Sequence, residues 1–87
     1  MKYLVYILKC ADDTFYTGIT TNLERRVDEH NGVSGNNTLG SKYTLMRRPV
    51  FPVYVKLFIN RSLASKEEFR IKKLSRKQKI VLIENSQ

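Results

Sequence analysis

The stretch 3–9, Tyr-Leu-Val-Tyr-Ile-Leu-Lys, constrains the fold more than any other part of the chain. Read as a strand, it points Tyr3, Val5 and Ile7 to one face and Leu4, Tyr6 and Leu8 to the other. Both faces are apolar, so this strand has to lie inside a sheet that is covered on both sides. Ala11-Asp12-Asp13-Thr14 follows with turn chemistry, because Asp side chains bond nearby backbone N–H groups. Residues 15–20 then return as a second strand, and the short turn predicts an antiparallel hairpin.

The remaining elements read in the order β-β-α-loop-β-α-α. Thr21-Asn22-Leu23-Glu24 fits a capping box, with Thr21 as N-cap. Leu23, Val27 and His30 share one face of the helix that follows, and Gly32 is its stop. The stretch 31–48 holds three of the four glycines and has no period, so it reads as a long loop, mobile without ligand. Residues 53–58 are rich in β-branched and aromatic side chains and form the third strand, with Pro52 at its start. From Ser62 the pattern is helical, with Leu63, Ala64, Ile71 and Leu74 as the inward face. Ser75 breaks it and caps a last helix over 76–84, packed by Ile80, Val81 and Ile83.

With 87 residues, 41% hydrophobic and 28% charged, the chain is long enough for one small globular domain, 1–87, and too apolar for a disordered one. No apolar run reaches the ~18 residues of a membrane span, and the N-terminus lacks a cleavage signal. A single cysteine excludes an internal disulfide framework and a cysteine-based zinc site. Cys10 reads as a small buried hydrophobe. The sequons at Asn36 and Asn60 are expected to be unmodified, and the cytoplasm is the expected compartment.

The net charge is +8, which suits a polyanion, since each cation placed on a phosphate releases a condensed counterion. Residues 1–60 carry +3 and residues 61–87 carry +5, so the surplus is concentrated in the tail. Arg70, Lys73 and Lys77 form its expected binding face. Lys42, Tyr43 and Arg48 are the expected contacts from the long loop. Gly18, two residues after Tyr16, marks a close backbone approach and joins them.

Several side chains carry chemistry. Tyr6 and Tyr16 lie ten residues apart on neighbouring strands. Arg26 borders the inward face of the first helix, whereas Arg25 turns toward solvent. His30, one turn on, is placed either to share a phosphate site with Arg26 or simply to pack. Glu67 and Glu68 are the only acids of the basic tail before Glu84, and hydrolysis of a phosphodiester wants a hard cation on carboxylate oxygen. Ser65-Lys66-Glu67-Glu68 also fits a capping box, in which Glu68 would only cap a helix, and the helical wheel leaves the choice between the two glutamates open.

Leu4-Val5-Tyr6 followed by Tyr16-Thr17-Gly18 resembles the paired signature of the GIY-YIG endonuclease superfamily. The helix Asn22-Leu23-Glu24-Arg25-Arg26-Val27-Asp28-Glu29-His30-Asn31 is similar to that family's arginine-bearing helix. Gly40-Ser41-Lys42-Tyr43-Thr44, Arg47-Arg48-Pro49-Val50 and Glu68-Phe69-Arg70-Ile71-Lys72 resemble its small stand-alone bacterial branch. The resemblance implies an α+β fold, a three-stranded antiparallel sheet flanked by helices in the order β-β-α-β-α-α. It also implies one-metal hydrolysis of nucleic acid, DNA in the first place, with Mg²⁺ or Mn²⁺ and no small-molecule cofactor. Tyr6, Tyr16, Arg26 and His30 match the catalytic positions and Glu68 the metal-binding glutamate. Leu4 departs from the pattern, standing where the family has its first glycine. The rival class is a basic nucleic-acid-binding module that cuts nothing. No membrane partner is expected, and the oligomeric state is left open.

Overall fold

A computed structural model describes residues 2–32 and 41–86. The sheet has three antiparallel strands, β1 (Tyr3–Cys10), β2 (Phe15–Thr20) and β3 (Val50–Phe58), in the order β2-β1-β3. The doubly apolar strand is therefore the central one. Val5, Ile7, Tyr54, Ala64, Ile71 and Ile83 form the core on one face, beneath α3 (Arg61–Lys72) and α4 (Arg76–Asn85). Tyr6, Leu8, Cys10 and Val50 form the other, where Leu23 and Val27 of α1 (Leu23–Asn31) pack. Each fully buried aliphatic of β1 contributes on the order of 1.5–3 kcal/mol, so the two layers together anchor the strand.

The hairpin turn is held by Asp12, whose Oδ1 accepts from Thr14 N at 3.2 Å and from Thr14 Oγ1 at 2.6 Å. Asp13 takes φ 67°, a left-handed conformation that Asp tolerates better than most residues. Gly32 stops α1 as expected, with φ 72° and its N–H on the carbonyls of Asp28 and Glu29. Cys10 is buried, and burial pushes its thiol pKa up.

Several boundaries differ from the sequence reading, each for a local reason. The N-cap of α1 is Asn22, not Thr21: its side chain accepts from Arg25 N, while the Thr20 hydroxyl already accepts from Asn22 N. The connection after α1 is not all loop, because Ser41 caps a one-turn helix, α2 (Lys42–Leu45). Of the stretch 31–48 expected to be mobile, residues 33–40 lie outside the described residues.

β3 begins at Val50, three residues early, and Pro52 lies inside it. This is allowed because β3 is an edge strand, and Val53 is an extra residue in the register between Ile7 and Leu8. α3 begins at Arg61, with Asn60 as N-cap accepting from Leu63 N. Ser65 is therefore inside the helix, and the capping-box explanation of Glu68 falls. Leu63 and Val81, expected inward, are exposed; Ala64, Ile71 and Ile83 are buried as expected, and Leu82 packs in place of Val81. α4 does carry a full capping box, between Ser75 and Gln78. Among the described residues, no helix is long and apolar enough to cross a membrane.

Candidate active site

The antiparallel register of β1 and β2 sets Tyr6 directly opposite Gly18 and Leu8 opposite Tyr16. Tyr6 and Tyr16 are thus diagonal neighbours on the α1 face, with ring centroids 6.4 Å apart. The Tyr6 ring lies across Gly18. A Cβ there would stand 2.5 Å from Tyr6 Oη and 2.6 Å from Cζ. This corrects the reading of Gly18 as a nucleic-acid contact. It is buried beneath the tyrosine and offers no surface; its missing side chain is what lets the ring lie flat. Gly18→Ala should lower stability by about 1–3 kcal/mol, since Tyr6 is 1% exposed and has no free space to move into. Urea unfolding would measure it.

From Tyr6 a hydrogen-bonded chain runs inward. Arg26 bonds the Tyr6 hydroxyl, and Tyr6 Oη lies 3.0 Å from His30 Nε2. His30 Nδ1 lies 2.8 Å from Thr44 Oγ1, which donates to the Ser41 carbonyl at 3.1 Å. Ser41 N–H also donates to His30 Nδ1, at 3.4 Å, so Nδ1 is an acceptor and the neutral ring carries its proton on Nε2. His30 Nε2–H then donates to Tyr6 Oη, which accepts from Arg26 as well.

His30 is 0% exposed, and burial is the first cause that lowers its pKa to about 4. The Arg26 and Arg48 cations push in the same direction, and Glu29 opposes them. The imidazole is therefore neutral at physiological pH. Burial likewise raises Tyr6 to about 12, against the hydrogen bond from Arg26. The resting group is a phenol.

Around this chain sits an aromatic cluster. The Tyr16 ring centroid is 5.0 Å from His30 and 6.0 Å from Tyr43. Tyr43 is 36% exposed, and the Arg47 guanidinium covers its ring at 4.1 Å. Arg47 is itself fixed by Asp12 Oδ2 at 3.0 Å. Arg48 donates to the His30 carbonyl and so braces α1 rather than standing free.

The two glutamates of α3 separate clearly. Glu67 is 11% exposed at its side chain and makes a two-point bond with Arg70, at 2.7 and 2.8 Å, while accepting from Tyr54 Oη at 3.3 Å. It clamps α3 to β3. Glu68 is 24% exposed and pairs through Oε2 with Lys72 at 3.2 Å. Its charge reaches the Tyr6 phenol, where it is one of the causes raising the pKa. Of the expected tail contacts, Arg70 is thus tied to Glu67, and Lys73 lies over the Phe69 ring at 4.2 Å. Lys77 and Lys42 are exposed.

A family model described as the GIY-YIG catalytic domain matches residues 2–80. The chain belongs to the GIY-YIG family. It is 47% identical over 83 residues to a UPF0213 protein of Staphylococcus haemolyticus, covering 95% of each. A UPF0213 protein of Clostridium perfringens is 51% identical over 83 residues, covering 95% of this chain and 83% of that one. The solution NMR structure of a UPF0213 protein from Bacillus halodurans superposes with a TM-score of 0.60 at 39% identity, over 97% of this chain and 84% of that one. A protein of E. faecalis, also solved by solution NMR, gives 0.65 at 44%, over 98% and 85%. The fold and the GIY-YIG membership expected from the sequence both hold.

In this GIY-YIG chain, Leu4 is half-buried and pairs with Thr20 and Leu57. The strand accepts a side chain where the family has glycine. Thr44 and Ser41 were missed as site residues; the Ser41-x-x-Thr44 spacing of an N-cap was their one local signal. Arg25 turns toward solvent as expected, with its side chain 62% exposed, and also lines a cleft together with Arg26. Among the described residues, no three His, Cys, Asp or Glu side chains converge on one point. Glu68 is half-buried, and its Oε1 has no protein partner among the described residues.

Proposed function

We propose that this chain is a divalent-metal-dependent endonuclease that hydrolyses phosphodiester bonds, with DNA as its expected substrate. The observation that carries this reading is the Tyr6 phenol, held between the guanidinium of Arg26 and the neutral imidazole of His30. A phenol with a raised pKa does not act by first becoming phenolate. Instead Oη accepts from Arg26 and from His30 Nε2–H, which fixes it to orient the attacking water. Neutral His30 holds Tyr6 in place while negative charge develops on the phosphoryl anion. Arg26 orients Tyr6 and stabilises that anion with the planar fork a lysine lacks. Tyr16 stands at the outer side of His30 and bounds the space for the scissile phosphate. Glu68 would hold Mg²⁺ or Mn²⁺, which supplies charge neutralisation at the phosphoryl oxygens and a more acidic water.

The test is a panel of labelled DNA and RNA, single-stranded, duplex and branched, incubated with Mg²⁺, Mn²⁺ or EDTA. Cleavage with metal and none in EDTA is the expected result. No cleavage of any substrate, alongside binding that survives, would leave a basic binding module. Binding itself should weaken with salt. For about four phosphate contacts on duplex DNA the log–log slope is near ~−3.6, and a slope near zero would remove nucleic acid as the ligand.

A further inference from the structure

Beside the candidate active site, a cleft of about 350 Å³ opens between the end of β2, α1 and the start of α3. Three arginines line it: Arg25 and Arg26 from α1, and Arg61 from α3. Glu29, on the same wall, takes Arg26 Nη1 at 2.9 Å on one oxygen and Arg25 Nε at 3.7 Å on the other. A single carboxylate thus aims two guanidinia into one space and neutralises only one charge of three. Arg61, from across the cleft, has no ion pair or hydrogen bond through its side chain among the described residues. Tyr3, Ile19, Thr20 and Thr21 complete the wall.

From this we infer that the cleft is a binding subsite for a backbone phosphate of the substrate strand, held by Arg25 and Arg61 next to the scissile position. The inference rests on the nuclease reading and extends it to a residue pair outside the catalytic chain. Three features favour a phosphodiester over another anion. Guanidinium forks match phosphate oxygens in two-point geometry. The cleft sits at the lower end of ligand-pocket volumes, roughly 300–1,000 Å³, and its lining is polar, not the apolar surface a free organic ligand prefers. Arg26 belongs to both sites, so a polymer lying at Tyr6 continues into the cleft without a gap. A free small anion would have no reason to share that wall. The subsite also gives Arg25 a role apart from Arg26: they are neighbours in sequence but differ by about 100° around the helix.

The experiment uses the full chain in EDTA, so that no cleavage occurs. Fluorescence anisotropy would follow duplex DNA binding against salt for the parent chain, Arg25→Ala, Arg61→Ala and, as a control on the far edge strand, Lys56→Ala. Each arginine variant should reduce the magnitude of the log–log slope by ~0.9, the loss of one phosphate contact. Lys56→Ala should leave it unchanged. In parallel, inorganic phosphate titrated into the ¹⁵N-labelled protein should shift the amides of Thr20, Thr21 and Arg61, and Arg61→Ala should remove that response. Slopes equal to the control, or phosphate shifts elsewhere on the surface, overturn the subsite. Because these readouts need no catalysis, changed slopes without cleavage in any metal would sink the nuclease reading and keep the subsite. Cleavage with unchanged slopes would do the reverse.

Discussion

Arg26→Lys and Glu68→Ala should each stop DNA cleavage while the chain stays folded and still binds DNA. Arg26→Lys keeps the charge, so affinity in EDTA changes by less than one phosphate contact. It removes the fork that bonds Tyr6 and Glu29 together and that faces the phosphoryl oxygens. Loss of one such preorganised donor costs about 3 kcal/mol, a hundredfold or more in rate. Glu68→Ala removes negative charge beside a polyanion, so DNA affinity should stay level or improve slightly. What it should lose is the metal. Mn²⁺ binding followed by water-proton relaxation enhancement reports this without any cleavage, and the variant should show none of the parent's enhancement. Glu84→Ala, an exposed acid on α4, is the matching control. Arg25 and Glu67, which differ from the test residues by one position, are poor controls. The first lines the arginine cleft, and the second clamps α3 through Tyr54 and Arg70. If Glu84→Ala loses cleavage as fully as Glu68→Ala, or Mn²⁺ binds Glu68→Ala unchanged, the site assignment is wrong.

Acidification from pH 6.5 to pH 4 should destabilise the fold by about 3 kcal/mol through His30 alone. Its pKa falls from an ordinary 6.5 to about 4 in the folded chain, and one unit is worth ~1.36 kcal/mol. The sign follows from the depressed value. Within this window the unfolded chain binds a proton that the folded chain refuses. The stabilisation is therefore complete above pH 6.5 and is lost as pH drops toward 4. His30 is the one histidine of the chain. Asp12 and Glu67, whose carboxyls are held below the usual range, lose their contributions at lower pH. Urea unfolding of the parent chain and His30→Gln between pH 4 and pH 8 measures the effect, and the variant should lack this slope. Equal slopes would mean that His30 is not a buried neutral imidazole. Thr44→Val removes the hydroxyl 2.8 Å from buried His30 Nδ1 and should cost about 1–3 kcal/mol. The double variant should cost less than the two single changes together, because both act on one hydrogen-bonded chain.

The sequence by itself determined the central strand. Tyr3 through Leu8 leave no polar face, and only a strand flanked on both edges and covered on both sides satisfies that pattern. It also determined the hairpin, through Asp12, and the last helix, through Ser75 and Gln78, since these depend on contacts a few residues apart. The order of the tyrosines, Arg26, His30 and Glu68 carried the family.

Tertiary structure alone decided what those residues do. Glu67 and Glu68 are adjacent and chemically identical. Their difference appears only when Tyr54 and Arg70 take up one of them, and when α3 starts at Arg61 so that Ser65 is no cap. The partner of His30 is a threonine fourteen residues away, on a helix of one turn whose length no periodicity can report. Gly18 read as an open approach for a ligand, but its neighbour across the strand pair filled that space with Tyr6. Arg61 and Arg25 meet only because the sheet brings the starts of two helices to one end. Local signals report hydrogen bonds and turns within one element. Burial, pKa and shared clefts are properties of surfaces brought together from different elements, and they exist only once the chain has closed.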